Sequence, residues 1–177
     1  FRWCADLGEG WYLPAIEELK VFMLNDAVHD AVNRTLIARG GTQLYDRGEI
    51  RWYWSSTEYD YKNSSGEFCA WFVTMDYGST GYGLKDVSSY VRAVSAFGDS
   101  SKSESDATTS APYKVGDYYN ENGKQGVVYE VSADGRHGKI VSMKQSAEVL
   151  QWSADETEQK RLIGADSTTY GAANMAK

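Results

Sequence analysis

The sequence predicts an α+β fold, and three observations carry that prediction. Apolar residues recur at helical spacing over residues 14–40. Aromatic and β-branched runs follow at 51–57, 68–74 and 90–97. Beyond residue 112, three more strand-like runs are separated by Asn-Gly and Asp-Gly dipeptides, which favour hairpin turns. The chain has 177 residues, 42% of them apolar and 24% charged, a composition that suits a packed core.

Pro14 suits the first helical position, where its missing N–H has no partner to lose. Ile16, Leu19, Phe22 and Met23 then fall on one face. Asn25 and Asp26 can cap a second helix, whose stripe is Val28, Ala31, Val32 and Leu36. Gly40-Gly41 ends it. His29 is expected beside this stripe, as a surface or edge histidine. The strands 51–57, 68–74 and 90–97 are separated by Gly/Ser/Asp/Tyr-rich stretches that read as loops.

Residues 98–112 hold no large apolar side chain and close on Pro112. Such a stretch cannot offset its own ordering entropy and is expected to be a flexible linker over 99–112. It separates 1–98 from 113–177. The second part reads as a meander with strands at 115–120, 126–132 and 139–143. Asn122-Gly123 and Asp134-Gly135 supply its turns. A polar stretch follows, anchored by Leu150 and Trp152, and the pattern of 171–177 suits a helix. The chain opens without Met on an amphipathic segment and closes on an unterminated helix pattern. Both ends read as cut from something longer.

The composition also excludes functions. A net charge of −7 argues against nucleic acid as the main partner. No apolar run reaches the 18 or so residues a membrane span needs. The two cysteines and two histidines lack the paired spacing of a structural zinc site. Dinucleotide, phosphate-loop, zincin, EF-hand and nucleophile-elbow motifs are all absent, so no cofactor is expected. Glu17 and Glu18 are neighbours on a helix and point to different faces, so they cannot share a proton. Ser55-Ser56-Thr57-Glu58 has no histidine near it in sequence. It is read as a buried polar turn whose hydroxyls satisfy backbone groups. Cys4 and Cys69 suit either one disulfide or two buried thiols. Asn33-Arg-Thr35 and Asn63-Ser-Ser65 match the glycosylation sequon, the first inside the expected second helix.

The chain holds 13 Tyr and 6 Trp but only 5 Phe. Tyr and Trp in excess suggest recognition, because each joins an apolar face to a polar handle. The excess concentrates at 59–90, where 18 of 32 residues are Tyr, Asp, Asn, Ser or Gly. Antibody loops use the same alphabet. Tyr59, Asp60, Tyr61, Asn63, Asp76, Tyr77, Ser79, Tyr82 and Tyr90 are the candidate ligand-binding residues.

Around these inserts stands a frame: Trp11-Tyr-Leu-Pro-Ala-Ile-Glu-Glu-Leu19, Tyr53-Trp-Ser-Ser-Thr-Glu58, Ala70-Trp71 and Val91-Arg-Ala-Val94. In order and spacing over residues 3–97 it resembles the bacterial C-type-lectin-fold domains. The nearest likeness is to the group related to the C-terminal domain of a collagen-like surface protein. Ala15 stands where that group usually has Ser or Thr, and Ser95 where a second Arg is common. The inserts resemble the variable region of diversity-generating retroelement proteins, which share the fold. The resemblance implies small twisted antiparallel sheets flanked by two or three helices. It also implies a calcium-independent module, since the Glu-Pro-Asn and Trp-Asn-Asp calcium signatures are missing.

Residues 113–177 resemble the N-terminal portion of the same family, so the halves stand in swapped order. Two arrangements give this. One is a window on a tandem array, with 113–177 opening the next domain. The other is a circular permutation, in which 90–97 pairs with a strand of 113–143. By resemblance the module is non-enzymatic, bacterial and extracellular or surface-displayed, and binds a protein or glycan ligand. The alternatives are a structural repeat of a fibre or adhesin stalk and an enzyme of the formylglycine-generating type. The enzyme would need Cys69 as a reactive thiolate.

Overall fold

The computed structural model describes residues 2–98 and 112–153. Of the linker expected over 99–112, all but Pro112 lies outside the described residues, as do residues 154–177 with the helix expected at 171–177. The described residues hold three helices: α1 (Arg2–Ala5), α2 (Ile16–Met23) and α3 (Asp26–Ala38). α2 buries Ile16, Leu19, Phe22 and Met23, as the sequence pattern predicts. Ala15 has no side chain to cap it. Two other residues supply what is missing. Thr57 Oγ1 accepts from Ile16 N–H at 2.9 Å, and Glu18 reaches back to Ala15 N–H at 2.9 Å.

Asn25 caps α3 by accepting from Val28 N–H. Its buried face is His29, Val32, Asn33 and Leu36, rotated from the expected stripe. His29 is therefore not a surface residue. It is buried, and its Nε2 lies 3.1 Å from the Tyr45 carbonyl oxygen. Asn33 is buried too, and both ends of its amide bond to the Leu44 backbone. That engagement is incompatible with a glycan on Asn33. The chain leaves α3 through Gly40, at φ +70°, and Gly41 N–H returns to the Leu36 carbonyl.

Among the described residues nine strands form three antiparallel sheets. The first is β1 (Trp52–Lys62), β2 (Phe68–Thr74) and β3 (Ser79–Leu84), in that order. The second pairs β4 (Ser88–Ser89) with β9 (Leu150–Gln151). The third has the order β5 (Arg92–Phe97), β8 (Gly138–Gln145), β7 (Lys124–Val131), β6 (Tyr118–Glu121). The fold is thus α+β, with small antiparallel sheets and three helices among the described residues.

Several boundaries differ from those expected. β1 runs on to Lys62, interrupted by two register shifts. The stretch 79–84, read as loop, is strand β3 paired residue by residue with β2. β6 begins three residues late because 114–117 is a turn, closed by Asp117 N–H to the Lys114 carbonyl at 3.0 Å. At Asn122 and Gly123 both φ values are positive, at 53° and 75°, as a tight hairpin requires.

β5 pairs with β8 across the linker: Val94 faces Val141, Ser95 faces Ile140 and Phe97 faces Gly138. Strand alternation then divides the core in two. Val94, Val127 and Val141 point toward α2 and α3, with Tyr53, Val73 and Tyr129. Ala93, Val128 and Ile140 point the other way, toward Cys4, Trp11, Trp54 and Tyr119. Tyr12 bonds to Val94 in both directions at 2.9 Å and joins the Trp-Tyr-Leu-Pro segment to this sheet.

Replacing Thr57 with Val removes the acceptor for Ile16 N–H while keeping side-chain volume. The expected loss is about 1 kcal/mol of unfolding free energy, read by urea denaturation. Unchanged stability would mean that α2 does not depend on this cap from a distant strand.

Candidate functional site

The sheet β1-β2-β3 carries most of the candidate residues, but it divides them. Trp71 faces Tyr82 directly across β2 and β3. Tyr59 is paired with Cys69, two residues along the same strand face from Trp71. The three rings meet. Tyr59 and Tyr82 stack at 4.2 Å with 29° between planes. Trp71 stands edge-on to Tyr59 at 4.9 Å and to Tyr82 at 5.9 Å. Tyr82 keeps 48% of its surface exposed, and Tyr59 and Trp71 are half-buried. Two expected loop residues are thus strand residues in one aromatic cluster, and sequence reasoning assigned Trp71 only to the frame.

The other candidates lie elsewhere. Asp60 is exposed on β1; Tyr61 follows it, and its side chain lies outside the described residues. Asn63 shapes the β1–β2 turn: its Oδ1 accepts from Ser65 and Glu67 N–H, and its amide donates to Glu67 at 2.7 Å. Asp76 shapes the β2–β3 turn, accepting from Thr74 Oγ1 and from Tyr77 N–H. Tyr77, at that turn, is 83% exposed. Ser79 opens β3 and is exposed. Asn63 and Asp76 are accordingly turn-formers, at opposite ends of β2.

Tyr90 belongs to a different cluster. Its ring lies 5.0 Å from Tyr45 and 6.1 Å from Tyr53. The Arg51 guanidinium sits over Tyr45 at 5.3 Å and over Tyr90 at 6.0 Å. Burial tends to raise the Tyr45 pKa. Hydrogen bonds with Tyr90, Arg51 and Gln145, and the Arg51 charge, outweigh it and bring it below the ordinary tyrosine value. Neither Tyr45 nor Arg51 was singled out from the sequence, because neither belongs to the Tyr-rich inserts.

The opposite face of the sheet is a support. Trp52 stacks on Phe72 at 5.1 Å, and Trp54 meets Phe72 edge-on at 5.8 Å. Gly81 sits opposite Phe72, and a Cβ there would lie 2.8 Å from the ring. The glycine is needed for that close approach.

Behind β1 lies a buried ion pair, Lys85 with Glu58, their side chains 0% and 4% exposed. The Trp152 ring covers Lys85 Nζ at 4.4 Å, and its Nε1 donates to the Ser55 carbonyl at 2.8 Å. Trp54 Nε1 donates to the Leu150 carbonyl at 3.0 Å. Residues 150–152, from beyond the linker, therefore seal the Trp-Ser-Ser-Thr-Glu segment. Ser55 donates to the Trp71 carbonyl at 2.7 Å, which gives its hydroxyl a backbone role. The segment is strand, as the run 51–57 predicts, rather than the polar turn read over 55–58, and its hydroxyls do satisfy backbone groups.

Cys4 and Cys69 are free and buried, so the disulfide alternative gives way to two buried thiols. Burial pushes the Cys4 thiol up to about 12. Burial also raises Cys69, against the charge of Lys85. A reactive thiolate needs the reverse shift. Among the described residues no three His, Cys, Asp or Glu side chains converge as metal ligands, and no helix is long and apolar enough to cross a membrane. No family model, curated protein or solved structure matches this chain.

The raised Cys4 pKa fixes a pH dependence. Between the unfolded thiol value, about 9, and the folded value, about 12, the native state holds a proton that the unfolded chain releases. Stability from this group is complete below pH 9 and is lost as pH rises through 12. Cys4→Ala should flatten the stability profile over that window by up to about 1.4 kcal/mol per pH unit. Parallel profiles for the two proteins would contradict it.

Proposed function

We propose that this chain is a non-enzymatic, calcium-independent ligand-binding module of the bacterial C-type-lectin-like type, surface-displayed, that takes a protein or glycan ligand. The observation that carries the reading is the Tyr59–Trp71–Tyr82 cluster. Three aromatic rings stand together at the solvent boundary, on paired strands rather than on loose loops. A rigid aromatic platform costs little side-chain entropy on binding. Behind it are the Trp52–Phe72–Trp54 stack and the sealed Glu58–Lys85 pair, which hold the backbone in place.

The family reading draws support from one contact. Thr57, of the Trp-Ser-Ser-Thr-Glu motif, caps the helix that follows Trp-Tyr-Leu-Pro. The two motifs that carry the resemblance are therefore in hydrogen-bond contact. The permuted arrangement is favoured over a tandem window by the β5–β8 and β4–β9 pairings, which join the two stretches of this chain. Raised thiol pKa values at Cys4 and Cys69 give the formylglycine-type alternative no support.

The test is a Tyr59→Ala/Tyr82→Ala double variant of the full chain. Parent and variant are compared on intact bacterial and animal cells and on immobilised glycans. Where the parent binds, the variant should lose at least about tenfold in affinity, as removal of aromatic anchors does. Its melting temperature should stay within a few degrees. Undiminished binding would overturn the platform, and a collapsed fold would make these tyrosines core residues.

A further inference from the structure

We propose that Tyr45, Arg51 and Tyr90 form a second binding site, one that takes the carboxylate of an acidic sugar. Arg51 is exposed and, among the described residues, forms no ion pair with a carboxylate. Its neighbour Glu49 is near enough for its charge to act on Arg51, but forms no ion pair with it and accepts from Asp46 N–H at 3.1 Å. On a chain with a net charge of −7, this is a cation held at the surface without a carboxylate partner.

It is also held in place. Arg51 donates to the Ile50 carbonyl at 2.8 Å, and its guanidinium lies against the Tyr45 and Tyr90 rings. Both rings pack on Tyr53, at 5.9 Å for Tyr45 and 6.1 Å for Tyr90. Tyr53 donates to Gln145 Oε1 at 2.7 Å and accepts from the Tyr45 backbone N–H at 3.3 Å. Gln145 Oε1 also accepts from Arg92, which is fully buried. A buried polar ladder therefore lies under a surface arginine held over two tyrosine rings.

A guanidinium pairs a carboxylate through parallel N–H donors. The Tyr90 hydroxyl is engaged with Tyr45, and the Tyr45 hydroxyl, which accepts from its neighbours, keeps its own proton to donate to the same oxygens. Tyr45 and Tyr90, tilted by 56°, add apolar ring surface beside the charge. A hexuronate offers a carboxylate and an apolar ring edge together, whereas a neutral sugar offers only the latter. The inference stands on these three residues and not on Tyr59, Trp71 or Tyr82, so either site can fail without the other.

The experiment titrates the full chain with glucuronate, glucose and acetate, following the Arg51 and Tyr90 signals by NMR at low salt. Glucuronate should shift both signals saturably. Acetate should bind at least about threefold more weakly, and glucose should not bind there. Arg51→Gln should weaken glucuronate at least about tenfold, as loss of a bidentate charged partner does. Arg47→Gln, which removes an arginine paired with Asp26, should bind as the parent does. Unchanged binding in Arg51→Gln, or glucose binding equal to glucuronate, would overturn the site. So would no saturable shift with glucuronate. Acetate binding as tightly as glucuronate would overturn the sugar assignment, pointing instead to a protein carboxylate.

Discussion

The buried guanidinium of Arg92 is the interaction on which the rest of this structure depends. It is wholly enclosed and has no carboxylate partner among the described residues. Its hydrogen bonds go to neutral oxygens: the carbonyls of Ser142, Thr42 and Gln43 and the Gln145 side chain. Burial lowers its pKa to about 10, so it remains charged at neutral pH. Those acceptors come from two places far apart in sequence, the loop after α3 and strand β8. One side chain on β5 therefore gathers three segments, and the cost of burying its charge is offset only when all of them are in place. Thr42 is held twice, since its N–H also donates to the Met143 carbonyl.

Both proposed sites follow from how this junction holds β1. Tyr53 and Gln145 pass the order of Arg92 outward to Tyr45, Tyr90 and Arg51. On the other face, the Glu58–Lys85 pair and Trp152 fix β1 where its register shifts occur. Those shifts let Tyr59 reach Trp71 and Tyr82. The two clusters use opposite resources: the first an exposed charge, the second apolar ring area. A surface that offers both can read a ligand by two independent features.

Much of the scaffold was legible in the sequence because its signals are local. The α2 stripe, the Asn25 cap, the strand Phe68–Thr74 and the Asn122-Gly123 turn each sit within a few residues of their cause. Strand β3 was not legible. Ser-Thr-Gly-Tyr-Gly-Leu has the composition of a turn, and its glycines are there because Phe72 from β2 leaves no room for a Cβ at residue 81. The same cause hid the continuation of β1 through Lys62, which β2 imposes by pairing. His29 was misplaced because its partner, the Tyr45 carbonyl, lies across a loop. The Tyr-rich stretch drew attention to Tyr59 and Tyr82, which the structure stacks together. Composition could not say that Asn63 and Asp76 spend their side chains on turns, nor that Tyr90 stands with Arg51.

The most direct measurement is urea unfolding of Arg92→Met, followed by two probes. Tryptophan fluorescence reports mainly on residues before the linker, where five of the six tryptophans lie. Amide exchange at Val127 and Val141 reports on the strands after it. If Arg92 joins the segments as described, the variant loses about 3 kcal/mol or more, because several buried carbonyls lose their donor together. Both probes then still report one coincident transition. A loss below about 1 kcal/mol, or two separate transitions in the parent chain, would contradict a core organised around this residue.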